Sequence, residues 1–246
     1  MKSSVYLACA IALAALAGSP STAEAKAPAS AAKAHDWTRV VRATRAGGFV
    51  MGNPNAKVKL VEYGSMTCPH CKRFDDAGVP HILDYVKTGQ VSYEFRNYVR
   101  DAFDVTAALV ARCDGPDTFF TLTRALYDDQ RNWEAKIEAT PQDQLKSMQD
   151  LPPNQQFVAI AKIAGFPQFA AARGLSVAKS TQCLSNLSSI NQLVAMNEAA
   201  TKQYPDFRGT PTFILNGRMV DLGEVTEAQV WPALKAKIDA ALGGRG

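Results

Sequence analysis

Charge of one sign is nowhere concentrated in this sequence. Its 27 basic and 23 acidic residues leave a formal net charge of only +4, and no run of like charges is long enough to form an interaction tail. Nucleic acid binding has no support in that distribution. Histidine is scarce, at three residues, and no second Cys-x-x-Cys or His-x-x-x-His spacing accompanies Cys68-Pro69-His70-Cys71. A closed zinc site needs a full tetrahedral ligand set, typically from two such clusters, and His70 and Cys71 are adjacent, which makes joint ligation awkward. No metal is expected. Internal repeats are absent, and the one low-complexity stretch is a short Ala/Pro/Ser leader.

Long apolar runs are also lacking. The longest near the amino terminus, Val5 to Ala17, follows Lys2 and is itself followed by small residues. It falls short of the ~20 residues of a spanning helix and reads as a secretory signal peptide, 1–25. Ala23-Glu24-Ala25 is the expected cleavage site, with Ala15-Leu16-Ala17 second, and the destination is the periplasm. Cys9 leaves with the signal, so the five cysteines of the sequence reduce to Cys68, Cys71, Cys113 and Cys183. At 246 residues the chain can bury a core without staples, so these cysteines are not required for stability. An even number in an oxidising compartment is compatible with two disulfides; local spacing favours Cys68 with Cys71, leaving Cys113 for Cys183.

What is present organises the rest. After the leader, Trp37 to Val41 reads as a possible first strand, which places leader and strand in 26–47. Gly47 to Ala56, GGFVMGNPNA, reads as a loop from its Gly, Asn and Pro punctuation. Val58 to Tyr63 is mostly apolar, as for a strand covered on both faces, with Glu62 standing out. The segment after the cysteine pair has helix-forming composition to about Val86, with Pro69 suited to a first turn and Gly78 and Pro80 expected to interrupt it. Gln90 to Val99 alternates as the next strand, and strand-helix-strand order points to a parallel pair. Strand signals then vanish over 101–203, where Thr106 to Cys113, Thr118 to Asp128, Asn154 to Ala164 and Leu187 to Gln203 show helical spacing, and Gly165 and Gly174 suit helix stops. A hairpin around Asn216-Gly217 and a helix over 226–242 close the chain.

The chemistry concentrates at the cysteine pair. A thiol in disulfide exchange works as thiolate. Cys68, at the start of a helix, faces unpaired amides and the positive dipole end, and His70 can donate a hydrogen bond or charge to the same sulfur. Cys71, one turn further in, is the expected buried partner that resolves a mixed disulfide by attacking Cys68.

Val58 to Phe74, with its CPHC tetrapeptide, resembles the DsbA family of exported thiol oxidases within the thioredoxin superfamily. The resemblance implies a thioredoxin-like α/β fold, a central mixed sheet flanked by helices, over 48–100 and 204–246, with a helical insertion domain over 101–203. It further implies that Arg208-Gly209-Thr210-Pro211 is the loop whose cis proline, Pro211, faces the redox pair. Thr210 and Gly209 beside it would line the site where a client peptide pairs with the backbone. Glu62, six positions before Cys68, matches the family's buried acid that shuttles a proton for Cys71. Some members carry a second disulfide in the insertion, the place of Cys113 and Cys183; the competing reading there is two buried free thiols or a second redox pair.

The implied activity is an oxidase that inserts disulfides into cysteine-containing unfolded secreted proteins. It would use no cofactor beyond its own Cys68–Cys71 disulfide and would be regenerated by a quinone-linked membrane oxidase. A monomer is expected. The alternative is a periplasmic dithiol reductase or isomerase of the same fold. His35 and His81 read as solvated side chains, and Phe119, Phe120, Leu122 and Leu126 as helix core.

Overall fold

The computed structural model describes Met1 and residues 35–243. The chain divides into two units, Met1–Lys33 and Ala34–Gly246, and every helix and strand of the described residues belongs to the second. The signal peptide, its cleavage sites, Cys9 and most of the leader lie outside the described residues. Among the described residues no helix is long and apolar enough to cross a membrane.

A single 3-10 turn at Trp37–Arg39, capped by the Asp36 side chain on the Thr38 amide, leads into β1 (Val41–Ala43) and β2 (Phe49–Gly52). Two sequence expectations change at this point of the chain. Trp37 to Val41 is mainly that turn, with the strand starting at Val41. The stretch GGFVMGNPNA is not a loop throughout, because Phe49 to Met51 pair antiparallel with β1. The same strand pairs on its other edge with residues 92–95, so it is an interior strand of the sheet. Its four residues are too few for alternation to show against flanking glycine and proline; pairing on both edges makes it a strand.

β3 (Val58–Gly64) is followed by α1 (Pro69–Ala77), α2 (Val79–Lys87) and β4 (Val91–Asn97). Pro69 occupies the first turn of α1, and the break falls at Gly78. There is no room for a side chain at that break, since a Cβ on Gly78 would lie 2.5 Å from the Phe74 ring. β3 and β4 run parallel, as the crossover requires.

Eight helices separate β4 from β5: α3 (Ala102–Arg112), α4 (Pro116–Asp128), α5 (Gln130–Glu138), α6 (Gln142–Gln149), α7 (Pro153–Ala164), α8 (Phe166–Ala171), α9 (Val177–Leu184) and α10 (Leu187–Gln203). Gly165, left-handed at φ 79°, ends α7. Then β5 (Thr212–Leu215), the Asn216-Gly217 turn, β6 (Arg218–Met219) and α11 (Glu227–Leu242) complete the chain. Positive φ at both turn residues, 49° and 82°, is what a tight hairpin of this twist demands.

The sheet has six strands in the order β1-β2-β4-β3-β5-β6. Val58, Leu60, Val91, Tyr93 and Phe95 are buried in its centre. One continuous cluster of buried side chains joins these to Leu109, Leu126, Trp133 and Phe166 of the insertion. Phe119, Leu122 and Leu126 are core residues, with Phe120 packed against them. His81 is exposed and stacks on Trp231, with ring centroids 5.3 Å apart.

Candidate redox site

The site forms where β3 ends. β3 delivers Glu62 and Gly64 beneath the turn Ser65–Thr67, and Cys68 becomes the N-cap of α1. Gly64 is needed because a Cβ there would lie 2.5 Å from the Phe95 ring. Cys68 and Cys71 are both free thiols and both buried, at 2% and 0% exposure.

Their environments differ in sign. Cys68 is drawn down to about 5, chiefly by a hydrogen bond from Cys71, against the opposing effect of burial. The Thr210 hydroxyl and the backbone amides of Cys71 and His70 pull in the same direction. That hydroxyl is buried and, among the described residues, has no hydrogen-bond partner. As a thiol, Cys68 donates to the Thr210 carbonyl oxygen over 3.2 Å. Cys71 is pushed well up, first by burial, then by the Cys68 and Glu62 charges.

The peptide bond between Thr210 and Pro211 is cis. Gly209 precedes it with φ 148°, and its carbonyl accepts from the Thr212 hydroxyl over 2.6 Å. Chain positions 142 residues apart thus meet at one sulfur.

Glu62 is 2% exposed, and burial raises its carboxyl to about 8. Among the described residues its one hydrogen-bond donor is the Tyr93 hydroxyl on β4, 2.6 Å from Oε2. Asp75, one turn after Cys71 on the same face of α1, is also buried and is raised to about 6 by desolvation. Its Oδ2 has no hydrogen-bond partner, and Arg124 stands 3.8 Å away.

His70 reaches the Cys68 sulfur through its backbone amide. Its ring lies elsewhere: Nδ1 is 2.5 Å from Glu227 Oε1 at the start of α11, and Arg73 pairs with the same carboxylate. Beside this ion cluster and Pro211 lies a groove of about 240 Å³, whose apolar lining includes Phe74, Phe213, Leu222, Val230 and Trp231.

Cys113, following α3, and Cys183, on α9, form a disulfide with Cα atoms 5.4 Å apart. Among the described residues no group of three or more His, Cys, Asp or Glu side chains is placed to hold a metal ion.

Sequence reasoning identified the residues along the two loops and missed their supports. Tyr93 and Phe213 sit in strands where alternation marks them only as core. Asp75, Asp104, Gln130 and Glu227 are polar residues on helices, and nothing in their spacing separates them from solvated ones.

The sequence model of the thioredoxin family matches residues 44–240. A Rickettsia conorii protein named as a protein-disulfide oxidoreductase is 27% identical over 201 residues, covering 80% of this chain and 64% of its own length. The chain therefore spans less than two thirds of that relative. The solved protein-disulfide isomerase of Novosphingobium aromaticivorans is 34% identical with a TM-score of 0.71, covering 77% of this chain and 96% of its own. Wolbachia pipientis α-DsbA1, at 20% identity and a TM-score of 0.58, covers 79% of this chain and 90% of its own and shares the fold. Matched from before β2 to within α11, and superposing on these structures sheet and insertion together, the chain belongs to the thioredoxin family and has the fold of its DsbA-type members.

Proposed function

We propose that the chain is an exported protein-disulfide oxidoreductase working as a dithiol oxidase on cysteine-containing secreted proteins while these are still unfolded. The observation that carries the reading is the asymmetry of the pair, with Cys68 drawn down to about 5 and Cys71 pushed up behind it. Stabilising the Cys68 thiolate stabilises the dithiol form and makes the disulfide form a ready electron acceptor.

A client thiolate attacks Cys68 Sγ, forming a mixed disulfide and breaking the Cys68–Cys71 bond. The Cys71 sulfur leaves and takes a proton, which Glu62, raised to about 8, holds at neutral pH. The client's second thiolate then attacks the client sulfur of the mixed disulfide and expels Cys68 as thiolate. Two electrons have passed from the client to the pair. Gly209, Thr210 and Pro211 form the edge on which the client backbone lies, and the apolar groove takes its side chains. Regeneration removes the same two electrons and the accompanying protons, and a quinone-linked membrane oxidase is the partner we assign to it. No further cofactor enters these steps, and a monomer suffices for them.

The Cys113–Cys183 disulfide favours an oxidising compartment, and with the sequence pattern of 1–25 it supports the periplasm. One observation favours an alternative direction, reductase or isomerase: the Novosphingobium aromaticivorans relative bears the name of an isomerase.

The deciding experiment equilibrates the mature protein with glutathione buffers beside a Cys113→Ser/Cys183→Ser variant. A potential well above thioredoxin's, about −270 mV, is the expected result. A potential near that value would move the assignment to a reductase, and loss of exchange in the double variant would show that the wrong pair was chosen.

A further inference from the structure

The turn that carries Cys68 is gripped by side chains of the insertion. Ser65 and Met66 are fully buried, and their polar groups are met from α3, α4 and α5. Asp104 Oδ1 accepts from the Met66 amide over 2.8 Å, and Oδ2 accepts from the Ser65 hydroxyl over 2.5 Å. Tyr127 donates to the Ser65 carbonyl over 3.1 Å, and Gln130 donates to the Met66 carbonyl over 2.6 Å. Arg100 adds a bond of 2.5 Å to the Thr67 carbonyl. Asp104, Tyr127 and Gln130 are at most 4% exposed.

Asp104 is the centre of this clamp. It sits in the first turn of α3, held by the Asp101 cap, and its Oδ2 also accepts from the Arg100 amide over 3.0 Å. No Lys, Arg or His side chain forms an ion pair with it among the described residues. An acid this buried is costly unless its hydrogen bonds are needed where they are. Those bonds end two residues before Cys68, whose own amide donates back to the Ser65 carbonyl over 3.2 Å.

We propose that Asp104 is a positioning residue of the redox centre: from the insertion it fixes the Ser65–Thr67 turn so that the first amides of α1 converge on Cys68 Sγ. The inference rests on Cys68–Cys71 being a redox pair.

One measurement separates positioning from simple charge. Where Cys68 titrates, at about 5, Asp104 is held protonated by its burial, so Asp104→Asn changes no charge there and by Coulomb's law alone leaves the Cys68 midpoint unmoved. Loosening the turn withdraws helix amides from the thiolate and raises it. The test is the ultraviolet thiolate titration of the reduced full mature chain, with glutathione equilibration of the same samples. The expected result is a higher midpoint and an equilibrium moved about tenfold toward the disulfide, the factor matching one pKa unit. A lowered or unmoved midpoint in folded Asp104→Asn overturns the proposal. Should that variant fail to fold, Gln130→Leu decides, since it releases the Met66 carbonyl, and the longer bond of 3.4 Å to the Cys68 carbonyl, without touching any carboxylate. A smaller shift of the same sign supports the clamp, and no shift overturns it. Native protein that never exchanges with glutathione sinks the redox reading and this inference together, whereas native exchange with unmoved variants sinks this inference alone.

Discussion

Cys68 Sγ and the carbonyl oxygen of Thr210 lie 3.2 Å apart, a contact that joins the head of α1 to the turn before β5. The bond needs the thiol proton. When Cys68 ionises it is lost, and the Thr210 hydroxyl remains as the donor that favours the thiolate. Thr210→Val keeps the shape and removes that donor. The Cys68 midpoint should rise by about one unit, and the disulfide should become a weaker oxidant. Thiolate absorbance against pH checks this, and an unchanged midpoint would remove the Thr210 hydroxyl from the account.

Cys71 contributes the largest single pull on Cys68. Reduced native protein should therefore titrate near the acid end, at about 5, and Cys71→Ala should move the midpoint upward. Alkylation rate as a function of pH reads both. A variant that reacts like the native protein at every pH would remove Cys71 from the account.

Stability should fall with rising pH in the disulfide form, where Cys68 carries no proton. Glu62 is raised from 4.5 to about 8 by burial, so between those values the folded chain holds a proton that the unfolded chain has released. Unfolding free energy then decreases as pH rises through that window. Asp104, raised to about 7, and Asp75, raised to about 6, act in the same direction. Glu62→Gln, which keeps an acceptor for Tyr93, should flatten the curve and stabilise the protein at the alkaline end by about 2 kcal/mol. Urea melts across the window measure it; identical slopes in the two proteins would contradict the buried, protonated Glu62.

The second disulfide closes a separation of 70 residues between α3 and α9. Replacing Cys113 and Cys183 together by Ala should cost about 4 kcal/mol on the chain-entropy treatment. The glutathione equilibrium of Cys68–Cys71 should stay in place. Denaturant midpoints and redox titration on one sample distinguish a staple from a second electron-carrying pair.

The legible parts of this molecule were those whose signal is local. CPHC announces its own helix start through Pro69, Asn216-Gly217 announces its hairpin, and Val58 to Tyr63 reads as a covered strand. Glu62 stands out as an acid in such a strand, and its place beneath the cysteines, like that of Pro211, was implied by the family resemblance. β2 stayed hidden because its four residues are too few for alternation to show among the flanking glycines. α5 escaped because its buried face rests on Gln130, Trp133 and Ile137, only two of them apolar. Glu227 lies in the first turn of α11, and only the fold sets it against His70. Supports of this kind are chosen by tertiary neighbours, so a single sequence does not mark them.

The clamp on Ser65 and Met66 also bears on how the molecule could be taken apart. Joining β4 directly to β5 would leave a chain with every strand of the sheet and both cysteines. It would also take from the Met66 amide and carbonyl their protein partners, because Asp104 and Gln130 would be gone. The turn that leads into α1 and the insertion are thus joined by buried hydrogen bonds, and exchanging the insertion for another helical segment replaces the mould in which that turn is cast.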